Sequence, residues 1–185
     1  MALTNNLELY QCMARLRSHG ITRDPQHMTF GPLGPWYYEQ LELGYNYRMT
    51  DLQAALGISQ LKKLSRFIDR RNEIADRYRA LLSDLPLTLP PAAPEGFQHG
   101  YHLFPIRVAD RKRVFDGLRE KGIDAQVHYV PAHHHPISSD LEQQPGDLPA
   151  CDSAYEQLLS LPIYPGLTTE QQGRVVGALR VLLGP

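Results

Sequence analysis

Cysteine is scarce in this 185-residue chain: Cys12 and Cys151 stand far apart and neither belongs to a CxxC pair. That argues against a disulfide-stapled secreted scaffold and fits a reducing compartment, so the cytoplasm is the expected location. An excess of one charge is also missing. The formal net charge is −1, which leaves no broad basic surface to grip a nucleic-acid backbone. No apolar run approaches the roughly 20 residues needed to cross a bilayer, and the first residues lack the charged-then-apolar pattern of a secretory leader. A soluble protein without a membrane partner is expected. P-loop, GxGxxG and Ser-His-Asp orders are absent, as are internal repeats and low-complexity tracts. Lysine is sparse too. Lys62, Lys63, Lys112 and Lys121 all fall on helix surfaces by pattern.

What is present suffices for one sizeable core and a piece of another, since 42% of the residues are hydrophobic. Met1 to Leu3 read as the end of a strand. Thr4, Asn5 or Asn6 can cap a helix with Leu9, Cys12, Met13 and Leu16 facing inward, ending at His19-Gly20, and Cys12 reads as a small core filler. Residues 21–42 form a long connection rich in Pro, Gly and aromatics. Its Trp36, Tyr37 and Tyr38 either pack on their own domain or line a sugar or dimer surface. Thr50 and Gln53 have capping-box spacing, and Leu52, Ala55, Leu56 and Ser59 make the apolar stripe of a helix expected to be buried. Ser65 can cap a further helix with Phe67, Ile74, Tyr78 and Leu81 inward, whose arginines read as a solvated face balanced by Asp69, Glu73 and Asp76.

Prolines at 86, 90, 91 and 94 make residues 84–98 an extended linker. A strand follows from His102 to Val108, then a helix capped by Asp110 with Val114, Phe115 and Leu118 inward and Gly122 as its stop. A second strand at 123–130 and helices near 149–160 and 168–183 complete an α+β layer, a small sheet with helices on one side. The last helix carries a Thr168/Gln171 capping box.

Two stretches could carry chemistry. Gly44-Tyr45-Asn46-Tyr47-Arg48 places an amide, a guanidinium and two phenols on a loop braced by a helix. His128, His133, His134 and His135 place four imidazoles within eight residues, which invites a transition metal. Alternation puts His128 and Tyr129 on opposite strand faces, Pro131 redirects the chain, and no carboxylate or cysteine sits nearby at a ligand spacing, so no metal ligand is assigned.

The chain resembles the DegT-like branch of the fold-type I, pyridoxal-phosphate (PLP)-dependent nucleotide-sugar aminotransferases. The resemblance rests on residues 43–64 and on four further matches in the family's order: Leu3-Thr4-Asn5-Asn6 with Arg17-Ser18-His19-Gly20-Ile21, Tyr101-His102-Leu103-Phe104, Val127-His128-Tyr129-Val130-Pro131, and Leu159-Ser160-Leu161-Pro162. Residues Gly34 to Gln40 resemble the subgroup that aminates a 4-keto sugar in pseudaminic acid biosynthesis. In this family the Schiff-base lysine lies just upstream of the segment matching Leu3 to Asn6. The chain is therefore expected to be the C-terminal half of such an enzyme, a fragment inactive by itself.

The resemblance implies three parts: residues 1–48 ending the large PLP domain with its interface loop, 49–85 as connecting helices, and 86–185 as the small C-terminal α+β domain. It implies that Asn46 reaches across a homodimer interface to the phosphate of the partner's PLP. Arg48 could bind that phosphate, the substrate's diphosphate, or a carboxylate bracing the loop. It assigns His128, Tyr129 and His133, with Tyr37, to the wall that receives a UDP-linked 4-keto-6-deoxy sugar, glutamate being the usual amino donor. The family's Tyr-rich run after this pattern is replaced by Ile137-Ser138-Ser139. Alternatives from other classes are a non-catalytic interaction module with the same fold, and a histidine-loop metal binder.

Overall fold

The computed structural model describes residues 2–138 and 146–184, and the chain divides into two compact units, Met1–Leu61 and Lys62–Pro185. In the first, Asn6 caps α1 (Leu7–Leu16) by accepting from the Leu9 amide at 3.0 Å. The short strands β1 (Ile21–Thr22) and β2 (Glu39–Gln40) pair antiparallel. The Thr50/Gln53 capping box opens α2 (Asp51–Leu61): Thr50 N–H donates to Gln53 Oε1 at 2.9 Å, and Gln53 N–H donates to Thr50 Oγ1 at 3.3 Å.

Burial in this unit differs from expectation. Among the described residues up to Leu61, no apolar side chain is buried. The stripe of α2 lies in solvent, with Leu52 85% and Leu56 62% exposed, and on α1 Leu9 is exposed while Cys12, Met13 and Leu16 are half-buried. An apolar stripe specifies that a helix wants a cover, and no described residue of the first unit provides one. Residues 2 and 3 form no strand, and Met1 lies outside the described residues.

The second unit holds the core. Helix α3 (Leu64–Leu82) buries Ile74, Ala75, Tyr78 and Leu82. Its cap position is Lys63, without a side-chain cap bond, so Ser65 sits inside the helix. Strand β3 (Phe104–Arg107) buries Phe104 and Ile106 by simple alternation. Asp110 caps α4 (Arg111–Glu120) through the Arg113 amide, and Gly122, at φ 69°, ends it as expected.

The strand paired with β3 is β4 (Leu158–Leu161), antiparallel, in the register Phe104↔Leu161 and Arg107↔Leu158. Residues 123–130 contribute only the bridge Gln126↔Ser160, and Thr88 bridges Arg107 on the far side of β3. Helix α5 (Pro149–Gln157) stops where β4 begins, so the long helix expected near 149–160 is a helix followed by a strand. The proline-rich stretch is more than a linker, because Leu85, Leu87 and Leu89 pack against the core.

Helix α6 (Thr169–Leu183), opened by the expected Thr168/Gln171 box, buries Val175, Val176, Ala178 and Leu179. Buried Gln172 donates to the Ile74 carbonyl at 2.8 Å and so ties α6 to α3. Gly117 lets α6 approach α4: a Cβ there would lie 2.5 Å from Leu182 Cδ2.

Phe104 sits between Tyr78 and Tyr101, with ring centroids 5.1 and 6.2 Å away, and Tyr78 Oη donates to the Pro162 carbonyl at 3.0 Å. Removing that ring leaves a core cavity, whereas removing the hydroxyl loses one hydrogen bond. Phe104→Ala is expected to cost about 3–5 kcal/mol and Tyr78→Phe about 1 kcal/mol in urea unfolding followed by far-UV circular dichroism. Equal costs would mean that the ring stack is not the centre of this core.

Candidate functional site

On the first unit the site is built by two motifs that meet. His19 and Gly20 both adopt left-handed backbone, at φ 65° and 69°. This turn brings residues 43–48 alongside the end of α1: Tyr45 N–H donates to the Leu16 carbonyl at 2.7 Å, His19 N–H to the Tyr45 carbonyl at 2.9 Å, and Tyr47 N–H to the Arg17 carbonyl at 2.9 Å. The approach requires glycine on both sides. A Cβ on Gly44 would lie 2.1 Å from Gly20 N, and one on Gly20 would lie 1.9 Å from the Glu42 carbonyl oxygen. Arg15 pairs with Glu42 beside this contact.

Along the resulting strand-like segment Tyr45 and Tyr47 stack, 5.0 Å between centroids and 11° between planes, so alternation directs Asn46 to the opposite face. Asn46 is exposed and bridges Ser18. Exposed Arg48 lines an open cleft of about 550 Å³ with Ser18, His19, Ile21, Arg23 and Tyr38. Arg23 lies over the Tyr38 ring at 5.9 Å. Among the described residues no carboxylate lines this cleft, which makes it a cationic recess.

Tyr37 points elsewhere, its hydroxyl donating to Glu39 at 3.3 Å. Glu39, only 8% exposed, also accepts from the Thr29 and Phe30 amides at 2.6 and 2.8 Å. Burial opposes its charge, but these donors hold the carboxyl below its ordinary range, while burial and the adjacent Glu39 push the Tyr37 phenol up. Glu39 thus ties down the aromatic loop. A lone glutamate two residues from a tyrosine gives no sequence signal for that.

On the second unit Tyr129 is 71% exposed and His128 half-buried, with its Nδ1 buried and without a hydrogen-bond partner among the described residues. His133 is 8% exposed. Its Nε2 lies 2.9 Å from Asp152 Oδ1, and His134 Nε2 lies 2.7 Å from the same oxygen. Asp152 Oδ2 accepts from the Gly146 amide at 2.8 Å. The sequence reading missed Asp152, because 19 residues separate it from His133 and only the seating of α5 brings them together.

The Gly146 amide, opposed by burial and reinforced by the two imidazoles, holds the Asp152 carboxyl below 3.8. A lowered folded-state value contributes stability that is present above 3.8 and lost as pH falls through that lower value. The share of the stability gap between wild type and Asp152→Asn that this carboxylate supplies is therefore expected to shrink as pH falls below about 5, as read by urea unfolding at stepped pH. A gap that widens on acidification would contradict the arrangement.

The glycine contact is tested with Trp36, the single tryptophan, as fluorophore. Gly44→Ala is expected to destabilise the first unit by about 1–3 kcal/mol, since backbone on both sides cannot give way. Gly57→Ala, where an added Cβ meets nothing within 4 Å, is expected to stabilise α2 by about 0.5–1 kcal/mol.

Residues 1–180 match the DegT/DnrJ/EryC1/StrS aminotransferase family. The spore coat polysaccharide biosynthesis protein SpsC of Bacillus subtilis is 32% identical over 188 residues, which cover 97% of this chain and 48% of SpsC. Among solved structures, DesV of S. venezuelae in complex with a ketimine intermediate superposes with a TM-score of 0.84 at 32% identity, covering 97% of this chain and 45% of that one. PseC of Helicobacter pylori, an aminotransferase involved in the biosynthesis of pseudoaminic acid, gives 0.84 at 28% identity, covering 97% and 47%. The chain spans about half the length of the curated relatives it matches. With the family matched almost from end to end, and the same fold at these scores, this chain belongs to the DegT/DnrJ/EryC1/StrS aminotransferases.

Proposed function

We propose that the chain is the C-terminal half of a PLP-dependent sugar aminotransferase that moves an amino group from glutamate to a UDP-linked 4-keto-6-deoxy sugar. The observation that carries this reading is the glycine-braced segment presenting Asn46 and Arg48 beside a recess lined by arginines. When bound, PLP supplies the electron sink for amino transfer.

The residues present fit the phosphate end of that cofactor. Asn46 offers an amide donor to a phosphate oxygen, and Arg48 offers a forked guanidinium to the same phosphate or to the sugar nucleotide's diphosphate. They do not fit its aldehyde end. Lys62, Lys112 and Lys121 are exposed and Lys63 sits at the N-cap of α3. A hydrogen bond to Asp116 raises the Lys112 ammonium further, the reverse of what an imine-forming lysine needs.

On the second unit the exposed Tyr129 ring can flank the sugar beside the half-buried His128, while His133 holds the loop through Asp152. Tyr37 supports the substrate side through its bond to Glu39. The exposed stripe of α2 and the Asn46 loop fit a homodimer boundary, across which Asn46 would serve the partner's cofactor. The same uncovered stripe supports a second reading, a non-catalytic interaction module. The free thiols and the proposed sugar-nucleotide substrate support cytoplasmic residence.

Two measurements decide between these readings. After incubation with PLP and borohydride, the purified 185-residue chain is expected to carry no stoichiometric adduct by mass spectrometry; a single modified lysine would overturn the half-enzyme reading. In the full-length parent, Asn46→Ala is expected to weaken PLP retention about tenfold or more, the worth of a hydrogen bond to a charged group. A parent that aminates no UDP-linked keto-sugar from glutamate would favour the interaction module.

A further inference from the structure

The His133, His134 and Asp152 cluster has a geometry that sugar binding does not use. His133 Nε2, His134 Nε2 and a carboxylate oxygen of Asp152 all lie within 4.8 Å of one another. The two imidazole planes stand at 84°, with centroids 4.5 Å apart, so both Nε2 atoms face one carboxylate oxygen from different directions. Ligands around a tetrahedral zinc ion at about 2.0–2.2 Å lie about 3.4 Å from one another. The present nitrogen-to-oxygen separations of 2.9 and 2.7 Å open to that value by sub-ångström shifts, and the two imidazole nitrogens, within 4.8 Å of each other, close on it as the ion draws them in.

We propose that these three side chains form a site for a divalent transition ion of the zinc class, joining the 132–134 turn to α5. The donor set is mixed nitrogen and oxygen, which suits zinc, cobalt or nickel and not the all-oxygen preference of calcium or magnesium. Two neutral imidazoles and one carboxylate leave the bound ion a single net positive charge. The Gly146 amide on Asp152 Oδ2 supplies the outer hydrogen bond that orients a ligating carboxylate. Side-chain exposures of 7%, 22% and 19% shelter the cluster while leaving a way in for the ion and for water at a fourth position. A structural histidine hydrogen-bonded to a carboxylate needs only one imidazole. The second, His134, also leans on the Tyr155 ring at 5.7 Å, and its Nε2 is turned onto an oxygen already served. Zinc bound here would replace two N–H donors with one ion and fix the turn more firmly. The proposal stands whether or not the chain takes part in amino transfer.

The test is calorimetric titration of the untagged 185-residue chain with Zn2+, with Co2+ as the spectroscopic probe. The expected result is one ion per chain with a Kd of about 10 μM or tighter and an intensified visible Co2+ spectrum showing four-coordination. His134→Ala and Asp152→Asn should each weaken binding about tenfold or more. His135→Ala, outside the set, should leave it within about twofold. Should Asp152→Asn fail to fold, the partly exposed His134 decides alone. Absence of binding at millimolar Zn2+, or affinity unchanged in His134→Ala, overturns the proposal and leaves a plain hydrogen-bonded cluster.

Discussion

The close passage of Gly44 over Gly20 is the constraint on which the first unit depends. Any side chain at either position would place carbon inside the other strand's backbone, at 2.1 or 1.9 Å. Only that absence allows the hydrogen bonds between residues 16–19 and 45–47. The unit has no buried apolar side chain among its described residues to fall back on. Order here rests on backbone bonds, the Arg15 and Glu42 pair, and the Glu39 carboxylate under the loop. Polar devices of this kind fix positions sharply but add little net stability. They suit a segment that leaves Asn46 and Arg48 exposed.

The second unit solves the opposite problem. Its two-stranded sheet is too small to stand alone, and helices α3, α4 and α6 enclose it around Tyr78, Phe104 and Leu118. Burial lifts the Tyr78 hydroxyl well above its ordinary pKa, yet the Pro162 carbonyl accepts its proton, so the polar end is satisfied inside the core. From this rigid base the chain leaves along residues 126–134, and the aspartate on α5 receives the histidines.

Features encoded within a few residues were legible in the sequence: both capping boxes, the Asp110 cap and the Gly122 stop all need only local spacing. Features encoded across the fold were not. Leu158-Leu159-Ser160-Leu161 follows a helix without a glycine or proline break, so its apolar residues read as one more helical turn, and the choice of strand is made by β3. Residues 123–130 have strand-like content but find a partner at Gln126 alone. The motif residues around Gly20 and Gly44 were visible, but not that they touch. Of the candidate site, Asn46, Arg48, His128, Tyr129, His133 and Tyr37 were named as expectations from resemblance, whereas the contacts of Glu39 and Asp152 needed the chain to be folded. The exposure of α2 was illegible in principle, because a stripe encodes a demand for cover and not its source.

The single-residue bridges flanking the small sheet have a consequence beyond geometry. Thr88 exchanges both of its backbone bonds with Arg107 on the outside of β3, and Gln126 does the same with Ser160 on the outside of β4. One sits at the end of β3 and the other within β4, and each occupies backbone groups with which a foreign strand would have to pair. Apolar sequences such as Leu158–Leu161 are the kind that template fibrils when laid bare. Two residues placed as stoppers let this protein carry such a segment without offering it to its neighbours.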